Sequence, residues 1–310
     1  MHYLMPPDDL ASPSDGGAGP SAPPGTGGDA LRWGGWASGF GGTGDVDGND
    51  DAEGFSSDTG GVTGGLDYRP GRDCVVGLLV GGGWTDVNGD GLSGDAEIDS
   101  VTVGLYGGLR FGRLYVDGLA AYTHHDIDTS RDMLIAGVLR TAEGSHDGDE
   151  FDGNVEVGYR VAEGTFEAEP FFGLSYTNLA EESFDESGAG AMNLSVDDRT
   201  TNSLRSALGA RFAWNIKSSD GVVRWVPRLH ARWEHQYMDT ENDTSASFSS
   251  LVGSPSFTVR GIDVDDDSAV VGAGLGARLS DSVRAFLGYE GRFGELETDH
   301  QGQGGIEIRW

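Results

Sequence analysis

The feature that most constrains the fold of this chain is an alternation of apolar and polar residues with a period of two. In the stretch from 222 to 237, for example, Trp225 falls on one parity and Arg228 on the other. A period of two places successive side chains on opposite faces of a β-strand. About twelve such stretches of roughly ten to fourteen residues follow one another, and none shows convincing helical spacing. The sequence therefore predicts an all-β protein.

The predicted strands are joined alternately by short turns and by long polar segments. The short turns include PGR after the second strand and FGR after the fourth. Short turns at one end and long loops at the other are typical of an up-and-down antiparallel barrel with an even number of strands. The predicted strands span 31–41, 59–69, 73–85, 99–110, 113–124, 150–161, 166–179, 201–214, 222–237, 268–279, 282–292 and 300–310. The long loops span 42–58, 86–98, 125–149, 180–200, 238–267 and 293–299.

Three features indicate that the apolar face of this barrel meets lipid. The strands are long enough to cross a bilayer at a tilt, for which about nine to eleven residues suffice. Small residues on the polar parity, such as Gly272 and Gly276, cannot fill a twelve-stranded barrel with an apolar core. Aromatic residues lie near the ends of the apolar faces, as in interfacial rows: Trp33, Trp84, Tyr122, Tyr176, Trp214, Trp225, Trp233 and Trp310. The alternative is a soluble acidic barrel or sandwich that buries its apolar face and binds a partner.

Composition limits the classes of partner and site. The formal net charge of -31 excludes a nucleic-acid-binding surface. The single cysteine, Cys74, excludes an internal disulfide and a multi-cysteine zinc site. Residues 1 to 30 are rich in proline and glycine and predict a flexible linker, so the barrel domain is expected at residues 31 to 310. The amino terminus lacks a signal-peptide pattern, so either the chain is cytosolic or its export signal lies upstream of Met1.

The chain from Leu31 to Trp310 resembles the β-domain of autotransporters, the translocator barrels of Gram-negative outer membranes. The resemblance is carried by the order of LRWGGWASGFGGTGDVDG, TGGVTGGLDYR, VGLLVGGGW, PFFGLSYTNL, LRSALGARF, LGYEGRF and GGIEIRW. It implies a barrel in outer-membrane lipid, with both termini in the periplasm, that supports type V secretion of an upstream passenger polypeptide. It also implies that the barrel-assembly machinery reads the last strand, in which Ile306, Ile308 and Trp310 would form the membrane-assembly signal. The alternative for Trp310 is an interfacial anchor alone.

The amino-terminal segment departs from the family pattern. Members usually thread a helix through the lumen before the first strand, whereas residues 1 to 30 contain too much proline and glycine to form one. The segment has no asparagine for the Asn-centred self-cleavage of some members, and no passenger of useful length precedes the barrel. We therefore expect a fragment of a longer protein or a barrel that has lost its cargo. A stand-alone pore, or a barrel that binds through its surface loops, is the alternative function.

Charged residues on the polar parity are predicted to line the lumen, where arginines would guide an extended polypeptide or anions. The alternative is a ladder of internal salt bridges that stiffens the wall, with little stabilisation per pair where water reaches it. The predicted lumen arginines are Arg205, Arg211, Arg228, Arg232, Arg278, Arg284 and Arg292, and the carboxylates predicted to pair with them are Glu156, Glu167 and Glu169.

The segment DVNGDGLSGDAE, residues 86 to 97, matches the spacing of a calcium-binding loop. No helices flank it, and acidic loops also arise by chance in a chain of this charge. Calcium is nevertheless the one cofactor that the sequence indicates. The side-chain ligands would be Asp86, Asn88, Asp90 and Glu97.

The sequence contains no recognisable catalytic motif. The best candidate cluster is His124, His125 and Asp126, but no nucleophile lies beside it. We therefore expect these residues to be polar groups at the rim of the barrel, and the protein not to be an enzyme.

Overall fold

The computed structural model describes residues 32–49, 52–91, 94–135, 137–218, 223–238, 243–250, 255–262 and 265–310. The predicted linker of residues 1 to 30 lies outside these ranges. Among the residues within them, no helix has the length and apolar character needed to cross a membrane.

Twelve long antiparallel strands form one closed barrel, as the sequence predicts. They are β1 Trp33–Val46, β2 Phe55–Gly71, β3 Cys74–Gly89, β4 Asp95–Phe111, β5 Leu114–Ile135, β6 Val138–Tyr159, β7 Phe166–Glu181, β8 Arg199–Trp214, β9 Arg224–Gln236, β10 Asp267–Arg278, β11 Val283–Phe293 and β12 Glu297–Arg309. Each strand pairs with its neighbours in sequence, and short extensions at Val161–Glu163 and Ile216–Lys217 lengthen the wall beside two of the short turns. The last strand, β12, pairs back onto β1 and closes the sheet.

Several strands run further than predicted, mainly toward the long loops. The largest extension converts most of the predicted loop 125–149 into a hairpin, because β5 and β6 stay paired as far as Ile135 opposite Val138. The predicted limits follow the end of the apolar alternation, whereas backbone hydrogen bonds between strands do not require apolar side chains. Polar strand segments outside the lipid therefore continue the sheet into solvent.

Two of the long loops form a separate four-stranded sheet beside the β5–β6 hairpin. Its strands are Phe184–Asp185, Leu194–Val196, Thr244–Phe248 and Phe257–Val259, and a 3-10 turn covers Gly190–Met192. The ring of Phe184 stacks on His146 of β6 with 4.3 Å between centroids. Arg131 of β5 pairs with Glu186 at 2.7 Å. These contacts hold the loop sheet against the lumen-side face of the hairpin.

Side-chain exposure shows which face of the barrel wall meets lipid. On the outward face, Leu66, Leu78 and Leu287 leave 57%, 61% and 66% of their surface accessible. On the inward face, the polar side chains of Asp67 and Glu234 are each only 1% exposed. A soluble barrel shows the reverse arrangement, with apolar side chains inside. The barrel is therefore a membrane barrel, and the soluble alternative is excluded.

Aromatic rings inside the barrel lie over glycines of the adjacent strand. A Cβ atom added at Gly158 would lie 2.3 Å from the ring of Tyr115, so only glycine leaves room for the ring at that position. The rings therefore lie along the wall instead of crossing the lumen. The inward ring and glycine pairs are Trp36 with Gly65, Phe40 with Gly61, Tyr106 with Gly77, Tyr115 with Gly158, Phe171 with Gly209, His230 with Gly272 and Phe286 with Gly305.

Candidate functional site in the lumen and on the lipid-facing wall

The largest ionic cluster of the lumen surrounds the carboxylate of Glu234 on β9. Arg232 of the same strand approaches it at 2.7 Å, and Arg292 of β11 at 3.1 Å. Arg205 of β8 lies 3.6 Å away. Because Glu234 is almost fully buried, its charge requires such partners. One carboxylate thus compensates arginines that come from three strands.

A second carboxylate of the same cluster, that of Glu290, connects two strands that are not neighbours. Each of the two terminal guanidinium nitrogens of Arg232 on β9 donates a hydrogen bond of 2.8 Å to this carboxylate. His230 Nε2 lies 2.8 Å from the same carboxylate. The intervening strand β10 presents Gly272 at this level. A Cβ atom there would lie 2.2 Å from the His230 ring, so glycine leaves the space through which β9 and β11 meet. The cluster therefore depends on the absence of a side chain at Gly272 of β10.

Another ionic cluster lies nearer the short turns and shares strand β8 with the first. Arg211 of β8 donates to Glu156 of β6 at 2.7 Å and to the Tyr115 hydroxyl at 3.0 Å. Its guanidinium lies 4.0 Å above the centre of the Phe171 ring. This combination of a bidentate ion pair and a cation–π contact fixes the arginine against the wall. It joins β6 and β8 across β7.

A third buried cluster lies at the seam where the barrel closes. The indole nitrogen of Trp36 donates to the Tyr106 hydroxyl at 2.8 Å, and that hydroxyl lies 3.4 Å from Asp67. On the other side of β1, Glu307 accepts a hydrogen bond from Arg309 and lies 3.6 Å from Arg284. The seam of β12, β1 and β2 is thus supported by polar side chains inside the barrel as well as by backbone pairing.

A cavity lies in the lumen beside the ionic clusters. Its wall combines charged side chains and uncharged amides with the aromatic rings of Phe171 and Phe286. The charged groups of the wall carry both signs. The lining includes Asn154, Arg211, Arg228, Glu290, Gln301 and Gln303.

The side chains that the sequence assigns to the lumen do point inward, but the pairs they form differ in part from expectation. Glu156 pairs with a predicted arginine, Arg211. Glu167 and Glu169 instead both pair with Arg160 near a short turn. At the rim Arg278 lies 3.5 Å from the turn residue Asp281. Whether any of these side chains guides a polypeptide or an anion remains a prediction.

Sequence reasoning missed the residues on which the clusters depend. Glu234 and Glu290 lie on the same parity as the predicted arginines, so parity alone already placed them in the lumen. Three guanidinium groups reach Glu234, and one guanidinium and one imidazole reach Glu290. Tyr115 was missed because its glycine partner, Gly158, is recognisable only when the register of β5 and β6 is known.

The outward aromatic residues form two rows, and the row near the long loops has polar partners. The Tyr122 hydroxyl donates to Asp149 at 2.6 Å, and Trp233 Nε1 donates to Asp267 at 2.9 Å. In the row near the short turns, Trp33 packs on Tyr68 with 4.9 Å between centroids. Rings with an apolar body and a bonded polar tip suit the boundary between lipid and headgroups.

The predicted assembly signal lies on the outward face of β12. Ile306, Ile308 and Trp310 are 50%, 44% and 55% exposed. The backbone of Trp310 exchanges two hydrogen bonds with Trp33, of 3.0 and 3.1 Å, so the last residue is held at the start of β1. Recognition by assembly machinery stays a prediction, whereas the contact itself closes the barrel.

The predicted calcium ligands do not converge. The segment folds as a hairpin in which Asp86 lies opposite Glu97 and Asn88 opposite Asp95, and Asp90 belongs to the turn. A calcium loop instead wraps its donors around one point. Across the described ranges no three His, Cys, Asp or Glu side chains are grouped so as to hold a metal ion. A calcium site at Asp86, Asn88, Asp90 and Glu97 thus remains a prediction without a preassembled ligand set.

The histidine cluster is divided between the two faces of β5. His124 points outward and lies 3.0 Å from Asp149, whose hydrogen bond raises the pKa of that imidazole. His125 points inward and lies 2.8 Å from the Ser100 hydroxyl. Asp126 shares the outward parity of His124. Adjacent residues of a strand cannot act on one substrate from opposite faces of a wall.

Comparison with known proteins identifies the architecture. The family model described as the autotransporter β-domain matches residues 35–290. This chain belongs to the autotransporter β-domain family. The translocator domain of the autotransporter NalP from Neisseria meningitidis has the same fold, with a TM-score of 0.73 and 18% identity over 91% of this chain and 90% of that one. The β-domain is thus an outer-membrane barrel of type V secretion.

Curated relatives place this β-domain within larger proteins. It is 31% identical to an extracellular serine protease of Serratia marcescens over 89% of this chain and 26% of the relative. It is 28% identical to outer membrane protein A of Rickettsia conorii over 72% of this chain and 11% of that protein. The chain therefore spans about a quarter or less of the relatives it matches.

Proposed function

We propose that the lumen of this β-domain is the route by which an extended polypeptide, joined to the amino-terminal side of β1, reaches the cell surface. The observation that carries the proposal is the inversion of the wall, with exposed leucines outside and buried Asp67 and Glu234 inside. Lipid cannot solvate an extended backbone, so a polypeptide that crosses the membrane needs such a polar enclosure. The closed sheet supplies it and leaves no open edge.

The charged side chains have a structural part in this mechanism. Arg232 and Arg211 are engaged by Glu290 and Glu156 in bidentate pairs, so their charges are compensated within the wall. A wall with compensated charges holds a passing acidic or basic segment only weakly. The fold of a translocator favours a non-enzymatic role for this domain, in which no step needs side-chain chemistry.

Assembly is the second part of the proposal, and it concerns β12. We assign Ile306, Ile308 and Trp310 to recognition by the barrel-assembly machinery. Support comes from their common outward face and from the contact of Trp310 with Trp33, which joins the two strands that must meet last. A machine that holds this edge until β1 arrives would prevent the exposed strand from aggregating.

The test is surface display of a reporter. A protease-cleavable epitope with a signal peptide is placed before residue 32 and expressed in a Gram-negative host, and its accessibility to added protease is measured on intact cells. We expect display together with heat-modifiable migration of the barrel. The control carries the same epitope on an unrelated outer-membrane barrel. A folded, membrane-inserted β-domain without display would contradict the proposal, and ion conductance of that barrel would favour the stand-alone pore.

A further inference from the structure

An apolar segment lies at the far end of the β5–β6 hairpin, within the most polar part of the chain. The run MLIAGVL, residues 133 to 139, contains no polar side chain, whereas EGSHDGDEFD follows at 143 to 152. We use the term hairpin tip for Met133, Leu134, Ile135, Val138 and Leu139. Strand propensity alone does not require such a run, because the hairpin below the tip is built from polar residues.

The hairpin tip is apolar on both of its faces. Leu134 lies opposite Leu139 on one face, and Ile135 lies opposite Val138 on the other. Leu134, Val138 and Leu139 are 63%, 57% and 59% exposed. A strand that packs on a protein surface usually keeps one polar face, whereas a run that is apolar on both faces is typical of a strand buried on both sides. Met133 and Ile135 on the inward face are half-buried, so the tip offers its outward face and its turn, with Leu134, Val138 and Leu139, to an apolar medium.

The membrane in which the barrel sits is out of reach of the tip. Leu134 follows the outward aromatic Tyr122 by twelve positions along β5, which corresponds to about 40 Å at ~3.3 Å per residue. The hairpin is also fastened to the neighbouring loop, because Glu143 of β6 bridges to Ser187 and Arg131 pairs with Glu186. The tip therefore points away from its own bilayer.

A positively charged residue beside the hairpin tip, Arg140, favours a lipid surface as the apolar medium. Arg140 lies directly opposite Met133 and is exposed, and its Nη1 lies 3.4 Å from the carbonyl oxygen of Ala189. A guanidinium beside an apolar segment can bind headgroup phosphate while the apolar residues enter the lipid. We propose that the hairpin tip inserts into a second lipid bilayer that faces the cell surface, with Arg140 at its phosphates.

The geometry limits the depth of insertion. β4 pairs with β5 only as far as Ser130, opposite Asp95, so the β5 edge beyond it has no partner strand among the described residues. Unpaired backbone groups are costly in hydrocarbon. The tip is therefore expected to enter only the boundary between headgroups and acyl chains, to roughly the 5–10 Å typical of interfacial segments. This proposal does not depend on the export of a passenger.

The experiment uses the full chain in phosphatidylcholine nanodiscs mixed with liposomes of phosphatidylcholine and phosphatidylglycerol. Co-flotation with the liposomes is measured for the wild type, for Leu134→Asp/Leu139→Asp and for Arg140→Glu. We expect wild-type binding, a loss of at least tenfold in the double variant, and a loss in Arg140→Glu that is smaller on purely zwitterionic liposomes, whose phosphates are each balanced by a choline. Heat-modifiable migration confirms that each barrel is folded.

The control is Val259→Asp, which places one of these carboxylates on an exposed apolar residue of the loop sheet instead. It should bind like the wild type. Absence of wild-type co-flotation would overturn the proposal, as would equal binding of the double variant or an equal loss in Val259→Asp. A dye attached to Leu134→Cys in a Cys74→Ser background should shift to the blue with liposomes. An unshifted dye in a bound sample would show that another surface is responsible.

Discussion

The two ends of the barrel are built on different principles. At the periplasmic end, with its short turns, most basic side chains lie near carboxylates, as with Arg160 and Arg309. On the outer face of the extracellular end like charges lie side by side, with the exposed Asp86 opposite both Asp58 and Glu97. More than half of the chain's 20 basic residues lie at the periplasmic end: Arg32, Arg69, Arg72, Arg110, Arg113, Arg160, Lys217, Arg224, Arg278, Arg284 and Arg309.

This difference in charge pairing indicates which interactions stabilise each end of the barrel. Like charges directly opposite one another weaken a strand pair, but solvent and salt screen them when they are exposed. The extracellular strands therefore rely on backbone pairing and on loop contacts such as Phe184 against His146. Inside the barrel, burial makes each missing partner costly. A charged residue is thus expected to have little effect on stability on the exposed extracellular wall, whereas inside the barrel it is required as a partner for other charges.

The largest expected effect comes from comparing a lumen carboxylate with one on the extracellular wall. Glu234→Gln leaves three arginines without their shared charge, and we expect a loss of about 3 kcal/mol in the free energy of unfolding. Asp86→Asn removes repulsion between exposed carboxylates and should be neutral or slightly stabilising. Urea titration of gel mobility in detergent measures both. Equal stability of the two variants would remove the distinction between interior and exterior charges.

A smaller effect is expected from adding a methyl group at either end of β1. A Cβ atom at Gly34 would lie 2.7 Å from Asp67 Oδ2, whereas at Gly41 the nearest atom is 3.6 Å away. Gly34→Ala should therefore cost about 2 kcal/mol, as overpacking of a buried site does. Gly41→Ala should change little. A Gly34→Ala barrel as heat-resistant as the wild type would show that the seam can relax.

The aromatic rows provide a test in the membrane itself. Trp310→Ala removes the ring at the closing strand, and Trp233→Ala removes one of similar exposure in the extracellular row. If β12 is the recognition strand, Trp310→Ala should lower the amount of inserted barrel about fivefold, the equivalent of ~1 kcal/mol, and Trp233→Ala should lower it less. Quantitative blotting of outer-membrane fractions measures the amount of inserted barrel for both variants. Equal losses would assign both residues to interfacial anchoring.

The smallest effect concerns pH at the extracellular rim. Hydrogen bonds from Tyr122 and His124 lower the pKa of Asp149, and the same contact raises the pKa of His124. The carboxylate contribution is lost as pH falls through its lowered pKa, and the imidazole contribution is lost as pH rises through its raised pKa. The contact is therefore strongest between about pH 4 and pH 6.5. Asp149→Asn should lower the pKa of His124 in an NMR titration; an unchanged pKa would contradict the pairing.

Prediction from the sequence succeeded where a local pattern carries the information. The number of strands, the outward position of residues such as Leu287 and the inward position of Arg232 follow from parity, and parity survives errors in strand limits. It failed for the predicted loop 125–149, which is mostly strand. The predicted loop was drawn at the end of the apolar pattern, whereas the hairpin continues because its backbone stays paired.

The sequence by itself determined the twelve strands, their two faces and the aromatic rows, because each of these depends on residues close together in the chain. Only the tertiary structure decided which charges meet. Glu290 binds Arg232 from two strands away, across Gly272, and Arg211 reaches Glu156 across β7. Such contacts depend on the register of several strand pairs and on the curvature of the closed wall. Neither quantity is contained in the alternation of a single strand.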